Sequence, residues 1–114
     1  PDYYIALNNR GSAKTDAGDY KGAIEDFTKA LQIKQDYAFA LNNRATAKYK
    51  LKDYKGAEED CTQAIKLDPK YAYAYLNRGI VRELLRNDKG ACEDWNKSIE
   101  LGAEAGKSYI SNCQ

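Results

Sequence analysis

The residues best equipped for chemistry in this 114-residue chain are adjacent carboxylates, Glu25–Asp26, Glu59–Asp60 and Glu93–Asp94. Two carboxyl groups that share a site can divide general acid and general base work between them. Neighbouring residues on a helix point to different sides, however. The pairs also recur identically along the chain, as scaffold residues do and a unique active site does not. Histidine, the commonest general base and metal ligand near neutral pH, is absent. The cysteines Cys61, Cys92 and Cys113 lack zinc-ligand spacing. The expectation is a protein that is no enzyme, with no catalytic residue, no metal and no cofactor.

A second set of charges recurs with those carboxylates. Arg10, Arg44 and Arg78 each precede Asp26, Asp60 and Asp94 by the same interval. With the arginine on the packing side of one helix and the aspartate facing it from the next, each pair is expected to form a charge-assisted structural bond. The alternative is arginines turned outward to grip an acidic ligand. Lys21–Glu25 and its copies have the i, i+4 spacing of solvated surface pairs.

Those recurrences are part of a longer one. Tyr3, Tyr37 and Tyr71 lie 34 residues apart, as do Asn9, Asn43 and Asn77, and residues 3–36 match 37–70 at 17 of 34 positions. Each unit reads as two helices joined by a short turn, with Gly18, Lys52–Asp53 and Arg86–Asn87–Asp88 at the turns. In the second helix of each unit, Ala23, Phe27, Ala30 and Leu31, with their counterparts, make an apolar stripe. One such hairpin cannot bury that stripe alone, whereas stacked copies share a continuous core.

On these residues the sequence resembles the tetratricopeptide repeat (TPR) family over residues 3–104. Leu7, Leu41 and Tyr75 fill the large apolar place of the family pattern, and Gly11, Ala45 and Gly79 the small one. Ala23–Phe27, Ala57–Cys61 and Ala91–Trp95 match its Ala-x3-aromatic signature, and Pro69 its closing proline. Arg10, Arg44 and Arg78 replace the pattern's Leu, and Lys14, Lys48 and Arg82 its Tyr. The Asn-Arg-Gly run at 77–79 looks like a bacterial variant. The resemblance implies an all-α, right-handed superhelical solenoid of three helix-turn-helix hairpins, 3–36, 37–70 and 71–104. A capping helix over 103–113 is expected from Ala105, Tyr109, Ile110 and Cys113 at helical spacing. Pro1 stands one period before Gln35 and two before Pro69, so the chain reads as a piece of a longer protein.

The resemblance further implies that the first helices line a concave groove, and that the chain is a non-catalytic protein-interaction scaffold holding a peptide segment of a partner there. The expected contacts are Asn9, Phe39, Asn42, Asn43, Thr46, Tyr49, Lys50, Tyr73, Leu76, Asn77 and Ile80. The row Asn9, Asn43, Asn77 offers donors and acceptors to a peptide backbone, or else bonds neighbouring helices. Tyr73, Leu76, Ile80 and Leu84 would be an apolar stripe, exposed in an empty groove or covered by a neighbouring copy or by the last helix. The carboxylate clamp that holds acidic tails of heat-shock chaperones maps onto Asn8, Ser12, Asn43, Tyr73 and Asn77. Only Asn43 matches, so the chain is expected not to be of that type. The competing reading is a structural spacer or self-assembly module, with the Tyr3–Tyr37 end mediating self-association.

Composition limits the partners. Lys and Arg total 18 against 17 Asp and Glu, a balance unlike that of a dedicated nucleic-acid binder, so no nucleic acid is expected. No apolar run approaches the roughly 18 residues a membrane helix needs, and no membrane partner is expected. Cys61 falls in a core place, whereas Cys92 and Cys113 reach similar height if 103–113 folds back. Either they form a disulfide, which would favour an exported location, or they stay reduced, with the cytoplasm as default.

Overall fold

The computed structural model describes residues 3–113, and six α-helices account for most of them: α1 (Tyr3–Asp16), α2 (Tyr20–Ile33), α3 (Ala38–Lys50), α4 (Tyr54–Leu67), α5 (Ala72–Leu84) and α6 (Asp88–Glu100). There is no strand among the described residues. The 34-residue period sets the boundaries. Asp19, Asp53 and Asn87 each accept a bond, 3.0 Å long, from the backbone N–H three residues on, at Gly22, Gly56 and Gly90. That satisfies one orphan donor at the start of every second helix.

The first helices stop by a common device. The residue after the last turn takes a left-handed conformation, with φ of 86° at Gly18, 69° at Lys52 and 66° at Arg86. The following N–H then reaches back to the helix, Asp19 to the Lys14 carbonyl and Asn87 to that of Arg82, both at 2.8 Å. This is the Schellman closure that turns the chain sharply into the next helix.

Small residues let the helices approach. Ala23, Ala30, Ala57, Ala64 and Ala91 are fully buried in the second helices, and Ala40, Ala47 and Ala74 in the first. Each helix packs on its sequence neighbours, and α3 also touches α1 on one flank and α5 on the other, so the three share one side of the stack. The result is a slab measuring 45 × 25 × 20 Å.

The expected terminal cap takes the form of two short 3-10 helices, Glu104–Ser108 and Ile110–Asn112, instead of one α-helix. Gly106 lies so close to α6 that an added Cβ would meet the Ser98 hydroxyl at 2.5 Å. The segment is drawn tight onto the stack, and the tighter 3-10 turn suits so short a piece. Tyr109 stacks on Trp95 at 5.1 Å between centroids. Cys113 is joined to Cys92, with S–S 2.04 Å and Cα–Cα 5.7 Å.

Candidate functional site

The side shared by α1, α3 and α5 is assembled as a grid. Helical spacing i, i+4, i+7, i+11 repeats on the three helices and produces four rows that cross them. Ile5, Phe39 and Tyr73 form an apolar row, Asn9, Asn43 and Asn77 an amide row, Ser12, Thr46 and Ile80 a third, and Asp16, Lys50 and Leu84 a fourth.

The apolar row is open to solvent along its whole length. Ile5, Phe39 and Tyr73 are 42, 57 and 55 % exposed at equivalent places in successive helices. Phe39 is also held in position. Its ring meets those of Tyr37 and Tyr71 edge-on, at 6.1 and 5.5 Å, and Tyr37 in turn meets Tyr4 at 5.1 Å. Such edge-to-face pairs fix ring orientation as well as burying area.

The amide row bonds between helices. The Asn43 side-chain amide donates to Asn8 Oδ1 at 3.1 Å and to Ser12 Oγ at 3.4 Å. Asn77 donates to Asn42 Oδ1 at 2.8 Å and to Thr46 Oγ1 at 3.1 Å. Their N–H groups are thus spent on the neighbouring helix, while Asn9 stays exposed. Asn42 is corrected from a groove contact to a seam residue. It is 6 % exposed and donates to the Tyr71 hydroxyl at 3.2 Å.

Leu76 is corrected likewise. It is 8 % exposed and lies under the cap, clustered with Ala91, Trp95 and Ile110. The apolar stripe of α5 is therefore reduced to Tyr73, half-buried Ile80 and exposed Leu84. Thr46 is half-buried, and Tyr49 packs its ring against the buried cluster of Ala45, Ala57, Cys61 and Val81. Lys50 is exposed, with Nζ 5.5 Å from the Tyr49 ring centroid. A depression of about 140 Å³ between α1 and α3 is lined by Ser12, Thr15, Asp16, Phe27, Asn43 and Thr46.

Beneath the grid lie the charge pairs. Arg10 grips both oxygens of Asp26, each at 2.8 Å, and Arg44 does the same to Asp60. Arg78 grips Asp94 with both bonds at 2.9 Å. A second cation completes each site: Lys14 at 3.2 Å, Lys48 at 3.1 Å and Arg82 at 3.1 Å. Sequence reasoning assigned no role to those three. They follow the arginines at i+4 with the same period, and that spacing was the signal. The Arg10 bond, working against burial, holds the Asp26 carboxyl below its ordinary value. The arginines are therefore tied inward, each to the aspartate of its own hairpin. Burial pushes the Cys61 thiol up to about 12, which leaves it inert as a nucleophile. Among the described residues no acidic or soft side chains cluster to hold a metal.

Comparison with known proteins fits this architecture. The family model for the tetratricopeptide repeat matches residues 4–37 and 38–71. No protein of curated function matches the sequence. Among solved structures, the second TPR of Spaghetti (RPAP3), bound to the HSP90 peptide SRMEEVD, is 36 % identical at TM-score 0.83, over 86 % of this chain and 91 % of that one. The second TPR domain of human RPAP3, in complex with the HSP70 peptide SGPTIEEVD, is 34 % identical at TM-score 0.87, over 94 and 91 %. The first TPR domain of human RPAP3 reaches TM-score 0.93 at 28 % identity, over 96 and 88 %.

These neighbours overturn one expectation. The chain was expected to stand apart from chaperone-tail binders, because five positions failed to match a clamp. Two domains with a third of their residues in common with it, over nearly their whole length, carry chaperone peptides of that type. A test of five positions is too narrow to separate this chain from them.

Proposed function

The chain belongs to the tetratricopeptide repeat family, and from that premise we propose that it binds an extended peptide segment of a partner protein across the grid of α1, α3 and α5. Members of the family are typically non-catalytic interaction modules, and this reading assigns the chain no reaction. The observation that carries it is the row Ile5, Phe39, Tyr73: three large apolar side chains left open at the same place in three consecutive helices. An unconstrained surface would scatter such residues singly, whereas an aligned row gives a partner a contiguous apolar track. First helices packed roughly 8–10 Å apart match about three residues of an extended peptide at ~3.3 Å each. Apolar side chains at every third ligand position would thus meet successive helices.

The ligand class follows from the neighbours and from charge. Peptides that end in Glu-Glu-Val-Asp combine an apolar side chain with carboxylates, and Lys50 stands exposed at the edge of the grid to meet the latter. The buried amides hold the helices in register, so that the rows stay aligned, and Asn43 and Thr46 border the polar depression beside them.

The test is fluorescence anisotropy with labelled SRMEEVD and SGPTIEEVD. Phe39→Ala with Tyr73→Ala is expected to weaken binding about 10-fold or more, as loss of central aromatic anchors does, with far-UV circular dichroism unchanged. Lys50→Ala should weaken it less and flatten its salt dependence. Affinity untouched by the aromatic pair of substitutions would remove the groove from the reading.

A further inference from the structure

The rows of the grid differ in how faithfully they repeat. The amide row is asparagine throughout, as a scaffold contact is. The last row is Asp16, Lys50 and Leu84: an anion, a cation and an apolar side chain on successive helices, all exposed. Each is also the final residue of its helix. A helix ends in unpaired carbonyls, which favour a cation and disfavour a carboxylate. Lys50 therefore suits its place, and Asp16 works against its own. Nothing offsets this. Among the described residues Asp16 forms no ion pair, whereas Asp26, Asp60 and Asp94 each have two cations. A residue that breaks a local rule without structural compensation points to function.

Asp16 borders the depression of about 140 Å³ between α1 and α3. The hydrogen bonds around that recess leave it rich in acceptors. Asn43 spends its Nδ2 on Asn8 and Ser12, which leaves its carbonyl oxygen. Thr15 and Thr46 donate their hydroxyl protons to the Gly11 and Asn42 carbonyls of their own helices. Ser12 keeps a hydroxyl that can turn either way. The buried Phe27 ring lies beneath. An acceptor-lined recess over aromatic carbon, at the negative end of a helix, matches a cation on a long apolar stem. Lysine and arginine are such side chains, with N–H donors and no acceptor.

The next step of the stack has other chemistry at these places. Tyr49 stands where Thr15 does, Lys50 where Asp16 does, Cys61 where Phe27 does and Ile80 where Thr46 does. Tyr49 turns its ring to the core. The recess is thus a property of the first step and not of the repeat.

We infer that the recess bordered by Asp16 is a subsite for one basic side chain, lysine or arginine, of the peptide bound across the grid. This rests on the groove reading above and adds a charge pattern to it. The recess lies between α1 and α3 and Lys50 on α3, less than one interhelical spacing of roughly 8–10 Å apart. Residues two apart in an extended chain are separated by about 7 Å and share a face. The preferred ligand therefore carries a base two residues from the acid that meets Lys50.

The test is fluorescence anisotropy with labelled SRMEEVD, whose arginine stands two residues ahead of its first glutamate, against the same peptide with alanine for that arginine. The original chain is expected to prefer the arginine peptide about 5-fold or more, with added salt reducing the preference. Asp16→Asn is expected to bind the two alike. Its thermal midpoint should hold or rise, since an unfavourable charge leaves the helix end; a fall would make Asp16 a structural residue and overturn the inference. A preference that survives Asp16→Asn would overturn it too. If the original chain binds both peptides equally while Phe39→Ala with Tyr73→Ala weakens both, the subsite is refuted and the groove stands. If neither peptide binds, the groove reading falls, and an NMR titration with N-acetyl-arginine amide judges the recess by itself. Shifts at the Asn43 side-chain amide and the Ser12 and Thr46 backbone amides, abolished by Asp16→Asn, would support the subsite, and their absence would overturn it.

Discussion

Each buried aspartate of this molecule is held between two cations, and the three sites differ in how much water they see. Arg44 and Arg78 are largely covered, whereas Arg10 is half exposed. Removal of one partner of a buried pair costs about 3–5 kcal/mol, because the remaining charge is stranded. Asp60→Ala and Asp94→Ala are expected to lose that much in urea unfolding, and Asp26→Ala less, since a freed Arg10 rehydrates. Equal losses at all three sites would show that exposure does not set the cost. Acid should act through Asp26. The folded Asp26 carboxyl titrates below its ordinary 3.8, so its contribution is complete above that value and is lost as pH falls through the lowered one. The pairing itself was legible in the sequence, because Arg and Asp recur together with one period. Two groove residues were not. Asn42 and Asn43 are adjacent and alike, as are Leu76 and Asn77 in position, and about 100° of helical phase separates the seam from the open side. A pattern of residue types cannot resolve which neighbour faces out when both belong to one ladder.

Between helices, the size of one side chain answers that of another. Gly11 faces Phe27 so closely that a Cβ would meet the ring at 2.6 Å, and a Cβ on Gly79 would collide with the Trp95 indole. In the middle hairpin the small place is Ala45 and the aromatic place Cys61, both fully buried. Cys61→Phe alone should overpack this contact at a cost of about 1–3 kcal/mol, and adding Ala45→Gly should recover most of it. A double-mutant cycle that shows no coupling between the two positions would refute this account. The turns hold a second reserve. Lys52 and Arg86 bear side chains in the left-handed conformation that Gly18 adopts freely. Lys52→Gly and Arg86→Gly are each expected to raise unfolding stability by about 1 kcal/mol. Helix number and turn positions were readable from the period. The form of the cap was not: Ala105, Tyr109, Ile110 and Cys113 have helical spacing, but the close approach of Gly106 to α6 depends on a surface only the assembled stack provides.

As a whole the chain is nearly neutral, with a net charge of +1, so it sets up no strong long-range field to steer a charged partner. Its architecture was legible because repetition samples the same contacts in successive units, whereas the partner was not, because exposed residues such as Phe39, Lys50 and Tyr73 are not dictated by the packing of the fold. The two ends also behave differently under load. Cys92 lies near the start of α6 and Cys113 near the end of the described chain, 21 residues apart along the sequence but 5.7 Å between Cα atoms. Tension applied at the C-terminus therefore bypasses most of α6 and the cap and enters the molecule at Cys92. In a single-molecule pulling experiment the unfolded contour should be about 70 Å shorter when the sulfurs are joined than after reduction, at ~3.5 Å per extended residue. A partner or tether that pulled on this end would stretch the outer surface of the last hairpin only after a reductant had let that length out.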